Sequence, residues 1–207
     1  MIYSDYSIVF DRTGFPLIQL DSWDHSIGLF PVSKYQFERF LVDDEGSDYT
    51  DEWYRGVLEF NPRRSWRNPG DRVWELFITG LDLDVIEDFL GYLGPEYRLP
   101  TLDEWKALLE LSEGIAEVSP ALKMICNGRS PEPVLHWLDA GLCPLMREGI
   151  FERIHGIENR VAGKPFHGLL PNTWAPEELK EVKMDMVRGM IGFRVVRDDG
   201  GASLRHS

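Results

Sequence analysis

Apolar and polar residues at the start of the chain are arranged as in a β-hairpin. Ile8-Val9-Phe10 and Phe15-Pro16-Leu17-Ile18-Gln19-Leu20 flank Asp11-Arg12-Thr13-Gly14, whose residue types favour a tight turn. Ile27-Gly28-Leu29-Phe30 continues the pattern as extended chain. Near the other end, Ile150-Phe151-Glu152-Arg153-Ile154 alternates as a half-buried strand does. The sequence therefore predicts short strands at both ends of the chain.

Two capping boxes mark the starts of predicted helices. Ser33 is followed three positions later by Gln36, and Thr101 in the same way by Glu104. In such a pair the side chain of the first residue accepts a hydrogen bond from the backbone N–H of the second, and the side chain of the second accepts one from the backbone N–H of the first. Pro100 keeps the residue before it extended, which fixes the entry to the later helix.

Three apolar stripes have helical spacing. Asp84, with Glu87 three positions on, is expected to open the middle helix, and Gly94-Pro95 to end it. The stripes are Tyr35, Phe37, Phe40 and Leu41, then Val85, Ile86, Phe89, Leu90 and Leu93, then Trp105, Leu108 and Leu109. Between Gly114 and Pro144 the pattern fragments, although Ser119-Pro120 is typical of a helix start. We interpret that region as an insertion.

Several segments, taken in order, resemble one known family. "YRLPTLDEW" closely resembles "RLPTEAEWE" of the formylglycine-generating (sulfatase-modifying factor) family, and "FPVSKYQFERFL" is similar to its "YPVTNAQYAAFL". "SWRNPG" and "IGFRVVR" resemble its "WRNPG" and "GFRVVR", and "LMREGIFERIHG" is a weaker match to "LYDMSGNVWEWV". Gly80 departs from the pattern, because the family commonly has Trp there.

The resemblance implies a fold, since this family's domain is a variant of the C-type lectin fold. We expect an α+β protein, rich in loops, with short helices around small twisted antiparallel sheets. No linker-like stretch divides the chain, so residues 1–197 are expected to form one domain. Residues 198–207 have almost nothing apolar to bury and are expected to form a mobile tail.

Charge and composition narrow the set of partners. The 35 acidic and 22 basic side chains give a formal charge of −13, which disfavours nucleic acid and favours a basic protein or peptide partner. Arg63, Arg64 and Arg67 beside Trp66 are interpreted as a solvated turn, with an anion site as the alternative. The N-terminus does not resemble a signal peptide, and no apolar run is long enough for a membrane helix, so a cytoplasmic protein without membrane contact is expected.

The resemblance also raises the question of copper. Formylglycine-generating enzymes oxidise a cysteine with oxygen, using copper(I) held by two cysteine thiolates after a "GGSF"-like turn. The matching turn here is Gly163-Lys164-Pro165-Phe166, and no cysteine occurs from Pro144 to Ser207. Cys126 and Cys143 precede that turn and are interpreted as buried reduced thiols. We therefore expect the copper chemistry to be lost and no catalytic residue or metal site to remain.

Other metal sites stay open as alternatives. The five histidines form no pair three or four residues apart, although folding could bring His136, His155 and His167 together with a carboxylate. The run Asp43-Asp44-Glu45-Gly46-Ser47-Asp48, with Asp51 and Glu52, is interpreted as a solvated acidic loop, with calcium as the alternative. Otherwise no cofactor is expected.

The function expected from these residues is a non-catalytic module that binds a ligand or protein. Its candidate residues combine aromatic area with hydrogen-bonding groups near the "GGSF"-like turn. They are Asn159, Arg160, Lys164, His167, Asn172 and Trp174. One alternative is a metal-dependent oxidase or oxygenase with altered ligands, including a relocated Cys126/Cys143 pair. Another is a structural subunit that docks through Trp53, Tyr54, Trp66 and Trp74, which are more simply explained as core and loop anchors.

Overall fold

The described part of a computed structural model covers residues 6–43, 49–62, 65–67, 73–115, 119–140, 148–165, 179–181 and 188–199. In it three strands are followed by three helices, one strand, three further helices and six strands. The strands in these ranges are β1 (Tyr6–Phe10), β2 (Pro16–Leu20), β3 (His25–Gly28), β4 (Tyr97–Arg98), β5 (Glu148–Gly149), β6 (Phe151–Ile154), β7 (Ile157–Pro165), β8 (Lys180–Glu181), β9 (Ile191–Gly192) and β10 (Val196–Asp198). The helices are α1 (Lys34–Asp43), α2 (Asp51–Phe60), α3 (Leu83–Leu93), α4 (Leu102–Ile115), α5 (Ser119–Cys126) and α6 (Glu132–Asp139). Short 3₁₀ turns cover Val73–Leu76 and Arg188–Met190. The expected α+β class is confirmed.

The first sheet is antiparallel, with the strand order β1-β2-β3-β10-β4. The expected hairpin is its β1–β2 pair. One carboxylate oxygen of Asp11 accepts the backbone N–H groups of Thr13 at 2.8 Å and Phe15 at 3.0 Å, and Gly14 has a φ of 83°. These bonds hold the turn because they satisfy backbone groups that the hairpin ladder leaves unpaired.

Both faces of the first sheet are buried. Neighbouring residues of β2 point to opposite faces, so Leu17 packs into one apolar cluster and Ile18 into another. The cluster around Leu17 contains Phe37 of α1 and Phe89 of α3, and the cluster around Ile18 contains Trp137 of α6. The sheet therefore lies between a layer of α1 and α3 and a layer that includes α5 and α6.

The second sheet is mixed, with the order β5-β7-β6-β9 and β8 added to β7. β6 pairs antiparallel with β7, whereas the β5–β7 and β6–β9 pairs are parallel. An all-antiparallel arrangement is therefore wrong for this sheet. Gly163 marks the change within β7, since its φ is 86° and the residues after it pair with β5. Gly163–Pro165 thus belong to a strand instead of the expected turn, and Phe166 lies outside the described residues.

Both capping boxes are confirmed. The Gln36 N–H donates to Ser33 Oγ at 3.1 Å while Gln36 Oε1 accepts the Ser33 N–H at 3.0 Å. The Glu104 N–H donates to Thr101 Oγ1 at 3.3 Å, and Glu104 Oε2 accepts the Thr101 N–H at 2.7 Å. Each bond satisfies a backbone donor that a bare helix end leaves free. Both helices therefore begin where the sequence predicted.

The helix α3 begins earlier than expected. Asp82, not Asp84, is its N-cap residue, and the Asp82 side chain makes no capping bond because it accepts a hydrogen bond from Arg188 Nη2 at 2.9 Å. The predicted apolar stripe is nevertheless buried along its whole length. Gly94, with a φ of 148°, ends the helix as predicted.

Two helices, α2 and α6, were not predicted, whereas α5 begins at Ser119, where Ser119-Pro120 indicated a helix start. α2 follows Thr50, whose Oγ1 accepts the Trp53 N–H at 3.2 Å. Asp51 and Glu52 occupy its first turn, where negative charge is favourable, so they belong to a helix rather than to an acidic loop. Residues 44–48 of that loop lie outside the described residues. The region read as an insertion contains α5 and α6, which bury Leu122 and Trp137 against the first sheet.

The folded part continues past the expected boundary at residue 197. Asp198 belongs to β10, where it is the Cα partner of His25, and its carboxylate accepts hydrogen bonds from Arg98. Asp199 accepts from Arg197 Nε at 2.8 Å. Residues 200–207 of the expected tail lie outside the described part of the chain.

Candidate functional site

A cleft of about 510 Å³ opens between α3 and the turn that joins β6 to β7; we call it the α3–β6 cleft. Its lining comes from two stretches that are distant in sequence, residues 83–99 and residues 153–157. These residues include Leu83, Leu90, Leu99, Ile154 and Ile157. A cleft of this size and character is typical of sites that take small molecules.

The α3 wall is formed by the second half of that helix. Leu90 anchors the wall in the core, where it is 7% exposed, while Gly91 faces open space. A methyl group placed on Gly91 would meet no atom within 4 Å. The missing side chain at Gly91 therefore contributes directly to the volume of the cleft.

The wall opposite α3 lies at a break in strand pairing. The pairing of β6 with β7 shifts register between Arg153 and Ile154, and both of these neighbouring residues line the cleft. In a regular strand they would point to opposite faces. His155 and Gly156 then form the turn, with Gly156 at a φ of 72°. The His155 N–H donates to Pro100 O at 2.8 Å, which fixes this turn to the start of α4.

A network of charges centred on Arg98 closes one end of the cleft. Arg98 Nη2 lies 2.6 Å from Glu104 Oε1 and 2.8 Å from Asp198 Oδ1. Burial alone would raise the pKa of Glu104, but hydrogen bonds from Arg98 and Thr101 outweigh it and lower that pKa to about 2. The guanidinium of Arg98 is thus compensated by two carboxylates.

Arg153 is the contrasting cation of the cleft. Its Nη2 donates to Leu81 O at 3.2 Å, and its Nε is buried without a hydrogen-bond partner among the described residues. Burial lowers the pKa of Arg153, and Arg188 lowers it further, whereas Asp82 raises it. Asp82 is itself paired with Arg188 at 2.9 Å. Within the described residues Arg153 therefore has no carboxylate of its own.

A buried ion pair holds the β6 wall to the first sheet. Arg194 and Glu152 are each 2% exposed and meet through two hydrogen bonds of 3.0 Å. Arg194 Nη1 also donates to Gly28 O at 3.0 Å and to Leu29 O at 2.5 Å. Glu152 and Arg153 are adjacent, so β6 directs one charge into the core and the next into the cleft.

Of the six predicted binding residues, Arg160 has a side chain that the structure describes, and it does not line this cleft. Arg160 is exposed on β7, where it is the Cα partner of Glu181. Asn159 and Lys164 belong to the backbone of β7, but their side chains lie outside the described part. His167, Asn172 and Trp174 lie outside the described residues altogether. The prediction that these six form a binding surface therefore stays a prediction.

Two of the three histidines considered as metal ligands, His136 and His155, occupy separate elements. His136 Nε2 lies 2.6 Å from Arg67 O, and its ring packs edge-on against Trp66. His155 lies in the β6–β7 turn. Among the described residues no group of three or more His, Cys, Asp or Glu side chains is arranged to hold a metal ion.

Cys126 is a buried free thiol, as expected. It is fully enclosed in the core, and burial raises the pKa of its thiol. A raised pKa disfavours the thiolate that copper binding requires. Cys143 lies outside the described residues.

Aromatic residues proposed for docking serve mainly as anchors. Trp53 and Tyr54 are half-buried against the cluster around Leu17, and Trp66 packs against the cluster around Ile18. The side chain of Trp74 lies outside the described part. Arg67 stacks over Trp66 at 4.7 Å and lies 3.5 Å from Glu132, while Arg63 and Arg64 lie outside the described residues.

The cleft residues were not recognised as a site in the sequence. One signal was available, because Glu152 and Arg153 are adjacent charges within a strand whose neighbours are apolar. Alternation must bury one of them, and a buried charge needs either a partner or a function. The register shift beside Arg153 leaves no such signal.

Comparison of the chain with protein-family models, with curated proteins and with solved structures gives no match. In the described part of the chain, none of the helices combines the length and the apolar character that crossing a membrane requires. The geometry of the cleft is therefore the observation that bears on function.

Proposed function

We propose that this protein is a non-catalytic ligand-binding module, built on a C-type lectin-like scaffold of the formylglycine-generating type, whose binding site is the α3–β6 cleft. The observation that carries the proposal is the cleft itself. It is preformed, mostly apolar and bordered by one arginine that has no carboxylate partner among the described residues. Binding sites for small molecules combine these features.

The scaffold assignment is supported by the roles of the matching segments. "FPVSKYQFERFL" and "YRLPTLDEW" each contain a formed capping box, and Arg194 of "IGFRVVR" pairs with Glu152 of "LMREGIFERIHG". Residues that fix helix starts and join sheets are those on which a shared fold depends. The expected loss of copper chemistry is supported by the sequence, which has no cysteine after Cys143.

The alternatives have less support. An oxidase using a relocated Cys126/Cys143 pair would need a thiolate at Cys126, which burial disfavours. A docking surface of Trp53, Tyr54 and Trp66 would need side chains that already pack against the core. A basic protein partner at the acidic outer surface remains compatible with a cleft that takes a separate, smaller ligand.

The test fills the cleft with a side chain. Gly91→Trp places an indole where no atom lies within 4 Å, and Gly56→Trp is the matched control on α2, where the space is equally open. A fragment library is screened by NMR chemical-shift mapping. We expect binders whose shifts concentrate on Gly91, Gly156 and Ile157, and we expect Gly91→Trp, but not Gly56→Trp, to abolish them. Binders that persist in Gly91→Trp, or the absence of any binder, would contradict the proposal.

A further inference from the structure

The charges of the α3–β6 cleft differ from those of the protein as a whole. The chain carries a formal charge of −13, but the charged side chains of the cleft lining are Glu87, Arg98 and Arg153. Arg98 is neutralised by Glu104 and Asp198. Glu87 is exposed on α3, so water screens its charge. The cation that sets the character of the cleft is therefore Arg153.

Arg153 has unused capacity to bind. A guanidinium has five N–H donors, and the described partner of this one is a single carbonyl, Leu81 O. Its Nε is buried and has no hydrogen-bond partner in the part of the chain that the structure describes. The adjacent Asp82–Arg188 pair is neutral as a unit and adds no net charge. The half-buried position weakens hydration of the cation, so a bound anion would interact with it more strongly than at an open surface.

We propose that the α3–β6 cleft binds a small amphipathic carboxylate, with its carboxylate group on the Arg153 guanidinium and its apolar part against Leu90, Leu99 and Ile154. The inference rests on the proposed function, because it names the ligand class of that same cleft. Planar guanidinium and carboxylate groups match in shape and pair through charge-assisted hydrogen bonds. The apolar lining supplies the surface for a hydrocarbon or aromatic tail.

The same geometry disfavours other ligand classes. An ammonium ligand would place a second cation beside Arg153, and a neutral apolar ligand would cover the guanidinium without pairing it. Covering an unpaired charge is unfavourable because it removes water and returns no partner. The ligand class is therefore set by Arg153 rather than by the volume of the cleft.

Three probes of equal size test the inference: phenylbutyrate, phenylbutyramide and phenylbutylamine. Isothermal titration calorimetry with the full chain measures their affinities, and chemical shifts locate them. We expect the carboxylate to bind about tenfold more tightly than the amide, because a factor of this size corresponds to one charge-assisted hydrogen bond. The amine should bind most weakly. In Arg153→Gln the affinity for the carboxylate should fall to that for the amide, and the affinity for the amide should stay the same.

Three further variants separate the cleft from general charge effects. Arg160→Gln removes an exposed arginine of the neighbouring strand and should change nothing. Arg153→Lys keeps the charge and should retain part of the preference for the carboxylate. Glu87→Gln removes an exposed negative charge that water screens, so it should leave the preference for the carboxylate unchanged.

The outcomes distinguish the two proposals. If none of the probes binds, the proposed function fails and the inference fails with it. If the amide or the amine binds as tightly as the carboxylate in the unmodified chain, the cleft is a binding site but the inference about its ligand is overturned. The same holds if Arg153→Gln keeps the preference for the carboxylate. Since the probe comparison uses the unmodified chain, it decides the question even if Arg153→Gln does not fold.

Discussion

The buried pair of Glu152 and Arg194 leads to the sharpest prediction for stability. Glu152→Gln keeps the shape of the side chain and removes its charge, so the Arg194 guanidinium is left buried at 2% exposure without a counter-charge. Breaking a buried pair from one side costs about 3–5 kcal/mol, because the remaining charge stays out of water. We expect Glu152→Gln to lower the free energy of unfolding by that amount.

Arg194→Met should cost at least as much as Glu152→Gln. It leaves the Glu152 carboxylate unpaired and also removes the donor to the carbonyls of Gly28 and Leu29. The double variant Glu152→Gln/Arg194→Met should lose less free energy of unfolding than the two single variants together. In the double variant neither residue carries a charge, so no unpaired charge is left buried. The double-mutant cycle should give a coupling of about 1–3 kcal/mol.

Urea denaturation followed by tryptophan fluorescence measures these free energies. Glu132→Gln is the matched control, because Glu132 faces Arg67 at 3.5 Å with both side chains about two-thirds exposed. Such a surface pair contributes under about 1 kcal/mol. A loss below about 1 kcal/mol in Glu152→Gln, similar to the control, would refute the argument that this pair is desolvated and joins the two sheets.

Three further predictions follow from backbone geometry and charge. Gly163→Ala should lower the free energy of unfolding, measured by urea denaturation, by about 2–4 kcal/mol, because φ at this position is 86° and the added methyl would lie 2.9 Å from Ile150 O. The control Gly128→Ala, at a φ of 76° but facing open space, should lower it by only about 1–2 kcal/mol. Equal losses in the two variants would contradict this reasoning. The pKa of Glu104 is about 2 in the folded chain and 4.5 in the unfolded chain, so between these pH values the unfolded state binds one proton more than the folded state. The free energy of unfolding should therefore fall as pH decreases from about 4.5 towards 2. Acid titrations monitored by circular dichroism should show a flatter pH dependence for Glu104→Gln. Thr101→Ala should lower the free energy of unfolding by about 1 kcal/mol in the same urea assay, because it removes the side chain that caps α4. An unchanged free energy of unfolding would show that the capping box does not stabilise α4.

Local signals explain which parts of the fold could be predicted from the sequence. The capping boxes at Ser33 and Thr101 and the stripe of α3 depend on residues three or four positions apart, and the structure confirms them. α2 was missed because Thr50-Asp51-Glu52 has the composition of an acidic loop as well as that of a capped helix start. Composition alone does not distinguish these two structures.

The cleft could not be predicted for a different reason. Its walls come from α3, β4 and the β6–β7 turn, so it exists only after residues more than fifty positions apart in sequence meet. The register shift between Arg153 and Ile154 depends on how β7 pairs, which no local pattern encodes. The residue types of His155-Gly156 favour a turn, but they do not indicate that Pro100 will accept a hydrogen bond from this turn and fix its position.

The arrangement of β6 links the stability of the fold to the shape of the cleft. Glu152 is fixed by Arg194, so the backbone next to it, which carries Arg153, cannot move without disturbing a buried ion pair. The His155 N–H holds the other end of the same segment to Pro100. A charge held between two fixed points is pre-organised, which lowers the entropy lost when a ligand binds. A ligand on Arg153 should in turn stabilise the folded chain by mass action, so a saturating carboxylate should raise the melting temperature of the unmodified protein more than that of Arg153→Gln.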